Sequence, residues 1–124
     1  QVATVDKVRP YPNVAVAKRL HGDVHRKKVV IVDDIIDTGG TLNEAVKLVF
    51  QNGSRSIRLA ATHAIFSGDA RDRLSLLPIR EILVTNTLHQ VRHPKIRVLD
   101  MVPLIFEKLR KQENQFSPLS RKGC

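Results

Sequence analysis

One β-to-α transition constrains the fold of this chain more than any other feature. Residues 29–32 read Val-Val-Ile-Val, a continuous β-branched run that predicts a strand buried on both faces. Three aspartates follow within residues 33–37, and Thr-Gly-Gly-Thr occupies residues 38–41. Apolar residues then recur at helical spacing through residues 41–51, where an Asn-Gly pair predicts the end of the helix. A buried strand that leads through a glycine turn into a helix predicts a β-α-β unit.

The rest of the chain repeats this alternation. Further strands are predicted at Ser56–Ala64, Ile82–Thr85 and Ile96–Leu99, with helices at Gly68–Leu77 and Val102–Lys111. We therefore predict an α/β fold: three layers, with a mostly parallel sheet and helices on both faces. Residues 1–28 are polar and basic and contain Pro10 and Pro12, so we predict a short strand at most, near residues 2–5, and then a mobile loop.

Size and composition predict one domain with an anionic partner. The 124 residues divide into a flank at 1–28, a core at 29–112 and a tail at 113–124. The net charge of +9 suits phosphorylated small molecules as well as nucleic acid. The basic residues are not interleaved with aromatic ones, which makes nucleic acid a less favoured partner. No apolar run is long enough for a membrane span, and the lone cysteine is terminal, so we expect a cytoplasmic protein.

The glycine turn itself has the chemistry of a phosphate site. Gly39 and Gly40 allow backbone N–H groups to approach an anion, Thr38 and Thr41 add hydroxyl groups, and the helix that follows directs its N-terminus at the same place. Carboxylates do not bind phosphate, but at the end of a strand they can accept hydrogen bonds from a vicinal diol or hold Mg²⁺. Phosphate on one side and diol on the other describe a ribose 5-phosphate. The alternative is a set of ordinary loop acids and a helix cap.

At this point a family resemblance becomes clear. The segment VVIVDDIIDTGGTL resembles the ribose-phosphate loop of the type I phosphoribosyltransferase superfamily. Its flanks are similar to one branch, the ribose-phosphate pyrophosphokinase family. The similar segments are DKVRP with a following Pro-Asn, the Gly-Asp-Val turn at 22–24, ATHAIFSGDA at 61–70, ILVTNTL at 82–88 and KIRVLDMVPLIFEKLRK at 95–111. One departure is Val8, where the family often has a second basic residue.

The resemblance implies an enzyme, a reaction and a set of residues. The reaction is transfer of the diphosphoryl group of ATP to the 1-hydroxyl of ribose 5-phosphate, which gives phosphoribosyl pyrophosphate and AMP, with Mg²⁺ as cofactor. Lys7 and Arg9 would be the catalytic cations of a flexible loop that closes over the reacting group. Asp33 and Asp34 would hold the ribose hydroxyls and help to place the metal, directly or through water. The residues that would bind the 5-phosphate are Asp37, Thr38, Gly39, Gly40 and Thr41.

The resemblance also implies a larger context. The chain begins with Gln1 and would correspond to most of the second, C-terminal domain of a two-domain enzyme, inactive by itself and part of a homo-oligomer, a hexamer by family resemblance. Three other functions stay open. A nucleobase phosphoribosyltransferase would share residues 29–42, a non-catalytic regulatory or associated relative would share the fold, and a nucleic-acid-binding regulator would account for the charge.

Overall fold

The computed structural model describes the backbone of residues 1–11 and 14–116, and the side chains of residues 1–6 and 19–112. The secondary-structure elements, in chain order, are β1 (Thr4–Tyr11), β2 (Val14–His21), β3 (Lys28–Ile36), α1 (Gly40–Gln51), β4 (Ser56–Ala64), α2 (Ala70–Ser75), β5 (Ile82–Thr85), β6 (Ile96–Leu99) and α3 (Val102–Phe116).

The centre of the fold is a parallel sheet of four strands in the order β3-β4-β5-β6. The register aligns one apolar residue from each strand, because Ile31 pairs with Leu59, Leu59 with Ile82, and Ile82 with Ile96. Helices flank this sheet, so the predicted α/β class with a mostly parallel sheet is confirmed. None of the helices at 40–51, 70–75 or 102–116 has the length and apolar composition that crossing a bilayer requires.

The core forms between the sheet and the first two helices. Helix α1 is buried at Leu42, Val46 and Val49, a helical spacing that presents one apolar stripe to the strands. Helix α2 adds Leu74, which is completely buried in the same cluster. Each fully buried aliphatic side chain stabilises the fold by about 1.5–3 kcal/mol relative to an exposed one.

The flank at 1–28 differs from the prediction. Its described residues do not form a loop: β1 and β2 pair as an antiparallel hairpin, with Val5 opposite Leu20. The prolines exclude a helix but not a strand, since proline is tolerated at the edge of a sheet, and both strands of a two-stranded sheet are edges. The register shifts between Val8 and Tyr11, the segment that contains Pro10. Pro12 and Asn13 lie outside the described residues.

Three element boundaries also differ from the prediction. Strand β3 continues past residue 32 to Ile36, because β4 continues to pair with it as far as Ala64. Helix α2 is shorter than predicted and α3 is longer, ending at Phe116. The predicted bounds of β4, β5 and β6 are confirmed.

The two faces of the sheet are covered unequally. Because parallel crossovers are right-handed, a sequential strand order places successive crossovers on one face, and α1 and α2 share one core there. On the opposite face of β3, Val30 and Val32 are 50 % and 75 % exposed. Helix α3 likewise exposes a stripe of apolar residues: Val102, Ile105, Phe106 and Leu109.

Candidate functional site

The candidate site lies at the carboxyl end of β3, where the chain turns into α1. We had predicted that Asp33 and Asp34 follow the strand, but both belong to β3. Asp33 pairs with Ala61 in the parallel register. Successive side chains of a strand point to opposite faces, so the two carboxylates reach the edge of the sheet from different sides. Asp33 is half-buried on the side of α1, and Asp34 is exposed.

The backbone after Asp34 is held by a neighbouring segment. We call residues 37–41 the cradle and residues 65–73, which follow β4, the brace. The carbonyl of Ile36, just before the cradle, accepts hydrogen bonds from the N–H groups of Ile65 and Phe66 at 2.8 and 3.1 Å. The carbonyl of Asp37 accepts one from the N–H of Ser67 at 3.2 Å.

A third carbonyl, that of Thr38, is held by a side chain. It accepts a hydrogen bond from the guanidinium of Arg73, whose other terminal nitrogen lies 3.3 Å from Asp69. The Ser67 hydroxyl also donates to the Asp37 carboxylate. The brace therefore binds both the backbone oxygens of the cradle and its one acidic side chain.

These contacts orient the N–H groups of the cradle. In a planar trans peptide the C=O and the following N–H point in opposite directions. Because the carbonyls of Ile36, Asp37 and Thr38 all point to the brace, the N–H groups of Asp37, Thr38 and Gly39 point to the other side. This is the arrangement in which successive N–H groups surround an anion.

The start of α1 extends the same surface. The first intrahelical bond runs from the N–H of Asn43 to the carbonyl of Gly39 at 2.9 Å, so the N–H groups of Gly40, Thr41 and Leu42 precede the helical ladder. The positive end of the helix dipole is located there as well. Both threonines that were predicted to donate are at this place, Thr38 exposed and Thr41 half-buried.

Gly39 makes this geometry possible. It has φ +73, a left-handed conformation that L side chains rarely adopt. A Cβ atom there would lie 2.8 Å from Cδ1 of Leu74, the buried residue of α2. The turn thus needs glycine both for its backbone angle and for its close contact with α2.

A cleft of about 540 Å³ meets one end of the site. It runs between residues 1–5 and the edge of β3, and its lining extends to Asp33 and Thr41. Most of that lining is aliphatic, and Thr41 is the one cradle residue among the lining residues.

Asp33 and Asp34 suit Mg²⁺ only together with a bound substrate that supplies further oxygen atoms. Among residues 1–6 and 19–112, no group of three or more His, Cys, Asp or Glu side chains is arranged to hold a metal ion. Asp33 and Asp34 supply carboxylate oxygens, which Mg²⁺ accepts, and Mg²⁺ commonly combines one or two carboxylates with substrate phosphates and water. The donor set therefore fits Mg²⁺ that arrives with a phosphorylated substrate.

Lys7 and Arg9 lie on β1, where Lys7 pairs with Ala17 of β2. Their side chains are outside the described part of the structure, and the prediction that they close over the site stays a prediction.

Other polar residues at this end of the sheet form hydrogen bonds between the ends of β4 and β5. The hydroxyls of Thr85 and Thr87 donate to the carbonyl of Thr62 at 2.6 and 3.1 Å, and Thr87 lies 2.9 Å from Nδ1 of His63. His63 is therefore hydrogen-bonded to a residue that follows β5. The carboxyl ends of β4 and β5 are thereby connected beside the site.

Sequence reasoning gave no role to Ser67 or Arg73. One signal could have found their neighbourhood: in a parallel sheet, the loops that follow adjacent strands leave at the same edge. The segment after β4 was therefore expected beside the segment after β3. The specific pairing of Arg73 with a carbonyl 35 residues away has no such signal.

Comparison with known proteins identifies the family of this chain. The model of the phosphoribosyl synthetase-associated domain family matches residues 2–120. Similar curated proteins include the ribose-phosphate pyrophosphokinases of Aquifex aeolicus (42 % identical over 112 residues, 89 % of this chain and 36 % of the relative), Gloeobacter violaceus (43 % over 111 residues, 87 % and 33 %) and Bacillus subtilis (34 % over 119 residues, 94 % and 38 %).

A solved structure is similar as well. The phosphoribosylpyrophosphate synthetase of Mycobacterium smegmatis superposes with a TM-score of 0.69 at 39 % identity, over 78 % of this chain and 34 % of that one. This chain thus spans about a third of the length of these relatives. The family match extends over residues 2–120 of this sequence, and the assignment of this segment to the second, C-terminal domain of a longer enzyme stays a prediction. The chain belongs to the family of the phosphoribosyl synthetase-associated domain, and its similar curated relatives are ribose-phosphate pyrophosphokinases.

Proposed function

We propose that this chain forms the ribose 5-phosphate site of a ribose-phosphate pyrophosphokinase. The reaction would transfer the diphosphoryl group of ATP to the 1-hydroxyl of ribose 5-phosphate, giving phosphoribosyl pyrophosphate and AMP. The observation that carries the proposal is the cradle: its carbonyls point to the brace, so its N–H groups face the side where a phosphate would bind.

The 5-phosphate would bind to the backbone N–H groups of residues 37–41 and to the hydroxyls of Thr38 and Thr41. Asp37 would contribute its N–H, because its carboxylate is held on the opposite side by Ser67. A dianion suits this surface, since N–H donors and the start of α1 both favour negative charge.

Asp33 and Asp34 would hold the ribose. Carboxylates are acceptors and match the donor character of vicinal hydroxyls, and both acids lie in β3 only three or four residues before the cradle. Mg²⁺, when bound, would neutralise charge on the transferred phosphoryl oxygens. These two acids are the described residues that would hold it, directly or through water.

Lys7 and Arg9 would complete the site from the hairpin of β1 and β2. Cations placed at the transferred group offset charge that develops in the transition state, an effect worth about 3–4 kcal/mol per donor in well-studied enzymes. Because β1 and β2 form a sheet of their own, separate from the parallel sheet, their hairpin could open for substrate and close for reaction.

ATP and ribose 5-phosphate are the proposed partners, in a cytoplasmic homo-oligomer. Because the chain spans about a third of the length of its relatives, we expect this segment by itself to be inactive.

The test uses the complete native polypeptide with ATP, Mg²⁺ and ribose 5-phosphate. Formation of AMP together with phosphoribosyl pyrophosphate supports the proposal. Asp33→Asn should lower kcat/KM at least about tenfold, and Glu107→Gln, which removes the same charge from an exposed position on α3, should change it less than about twofold. Release of pyrophosphate from phosphoribosyl pyrophosphate on addition of a nucleobase, without AMP from ATP, would instead identify a nucleobase phosphoribosyltransferase.

A further inference from the structure

We propose that Arg73 and Ser67 are positioning residues for the phosphate site. They would keep the oxygens of the cradle turned to the brace, so that its N–H groups stay directed at the phosphate. This inference rests on the proposed function, because it assumes that the cradle binds the phosphate of ribose 5-phosphate.

Arg73 has the largest role because its contact depends on a side chain. The carbonyls of Ile36 and Asp37 are held by backbone N–H groups of the brace, which nearly any residue at those positions would supply. The carbonyl of Thr38 is held by the Arg73 guanidinium. Without it, the peptide between Thr38 and Gly39 can rotate, and a carbonyl oxygen can take the place of an N–H beside the anion.

The geometry of Arg73 is itself fixed. One terminal nitrogen donates to Thr38 and the other lies 3.3 Å from Asp69, so the planar fork is held at both ends. Leu74, the next residue, is completely buried and packs against Gly39. Arg73 therefore meets the cradle from a rigid base. A lysine has one ammonium group and cannot reproduce both contacts in the same plane.

Ser67 controls the acidic side chain of the cradle. Its hydroxyl donates to the Asp37 carboxylate, on the side that carries the carbonyl contacts. If that carboxylate rotated to the N–H side, it would repel a phosphate dianion. Ser67 thus makes an aspartate compatible with an anion site, and its hydroxyl has no need to contact the ligand.

The experiment compares four variants of the complete native polypeptide: Arg73→Met, Arg73→Lys, Ser67→Ala and, as control, Arg80→Met. Arg80 is an exposed cation before β5, and its replacement changes the net charge by the same amount as Arg73→Met. Two quantities are measured for each variant. Calorimetry gives Kd for ribose 5-phosphate, and hydrogen exchange without ligand gives the protection of the amides at 37–42.

We expect Arg73→Met to raise Kd and KM for ribose 5-phosphate about tenfold, with the KM for ATP within about twofold of its original value. The Kd of Arg73→Lys for ribose 5-phosphate should fall between that of Arg73→Met and that of the unmodified protein. The Kd of Arg80→Met should match that of the unmodified protein. Amide exchange at 37–42 should accelerate in Arg73→Met and not in Arg80→Met. Ser67→Ala should weaken ribose 5-phosphate binding without faster exchange, because its effect is electrostatic.

Unchanged exchange at 37–42 together with unchanged Kd in Arg73→Met would overturn the inference. A general loss, in which ATP and ribose 5-phosphate weaken equally, would show a merely structural role and would also overturn it. If Arg73→Met does not fold, Ser67→Ala decides, because it removes only one exposed hydroxyl. If the unmodified protein does not bind ribose 5-phosphate, the proposed function fails, and the exchange data still decide whether Arg73 orders the cradle.

Discussion

Replacement of Gly39 by alanine should destabilise the fold for two separable reasons. The residue has φ +73, and an L side chain in this left-handed conformation costs about 1–2 kcal/mol. The new Cβ would also lie 2.8 Å from Cδ1 and 3.1 Å from Cγ of Leu74. Because Leu74 is completely buried, any shift of its side chain disturbs the packing of the core, and such overpacking costs about 1–3 kcal/mol. The sum is about 2–5 kcal/mol.

Gly68 provides a matched control. Its φ is +61, and no atom lies within 4 Å of a Cβ built there. Gly68→Ala therefore carries the conformational cost without the steric one, and both variants gain the same small stabilisation from a less flexible unfolded chain. We expect Gly39→Ala to lower the free energy of unfolding by about 1–3 kcal/mol more than Gly68→Ala does.

The assay is urea unfolding followed by circular dichroism, with a double-mutant cycle. Leu74→Ala alone costs about 2–5 kcal/mol, because it removes a buried side chain. In that background the steric part of Gly39→Ala should disappear, so the two substitutions should couple by about 1–3 kcal/mol. Equal effects of Gly39→Ala and Gly68→Ala, with no coupling to Leu74, would refute the reasoning.

Three further outcomes are expected. Thr41→Val should raise the Kd for ribose 5-phosphate about three- to tenfold at constant kcat, whereas a change in kcat alone would contradict a ground-state contact of Thr41. Lys7→Ala should mainly lower turnover, with the Kd for ribose 5-phosphate nearly unchanged; equal losses in both would exclude a role limited to the transition state. The hydrogen bond from Lys27 and that from the N–H of His25 hold the pKa of Asp23 below its ordinary value, so the small stabilisation is present above the unfolded pKa and is lost as pH falls through the folded one. In an NMR titration, Lys27→Met should raise that pKa.

The strands of the sheet show what sequence periodicity can predict. The bounds of β4, β5 and β6 agree with the sequence because their apolar residues alternate with polar ones or form short buried runs between turn residues. The end of β3 does not, since Asp33 and Asp34 are poor strand formers. They are extended because the neighbouring strand pairs with them, and pairing is a tertiary effect.

The hairpin was missed for a related reason. We took Pro10 as evidence against regular structure, but proline excludes only a helix. The strands form because residues distant in sequence pair across the hairpin, as Val5 does with Leu20. In the site, the cradle residues were predicted from their composition. The contributions of Ser67 and Arg73 were not, because hydrogen bonds across 30 and 35 residues depend on the path of the chain.

The exposed apolar residues of β3 and α3 have a consequence for how copies of this chain behave in salt. Val30, Val32 and the apolar stripe of α3 expose apolar surface through which two copies of the chain can attract each other. The net charge of +9 on each copy opposes this attraction. The repulsion is screened beyond about 10 Å at 0.1 M salt and beyond about 3 Å at 1 M, but hydrophobic attraction is not weakened by screening. A preparation of this chain should therefore remain dispersed in dilute buffer and associate as salt is added, the opposite of a protein whose copies adhere through charge.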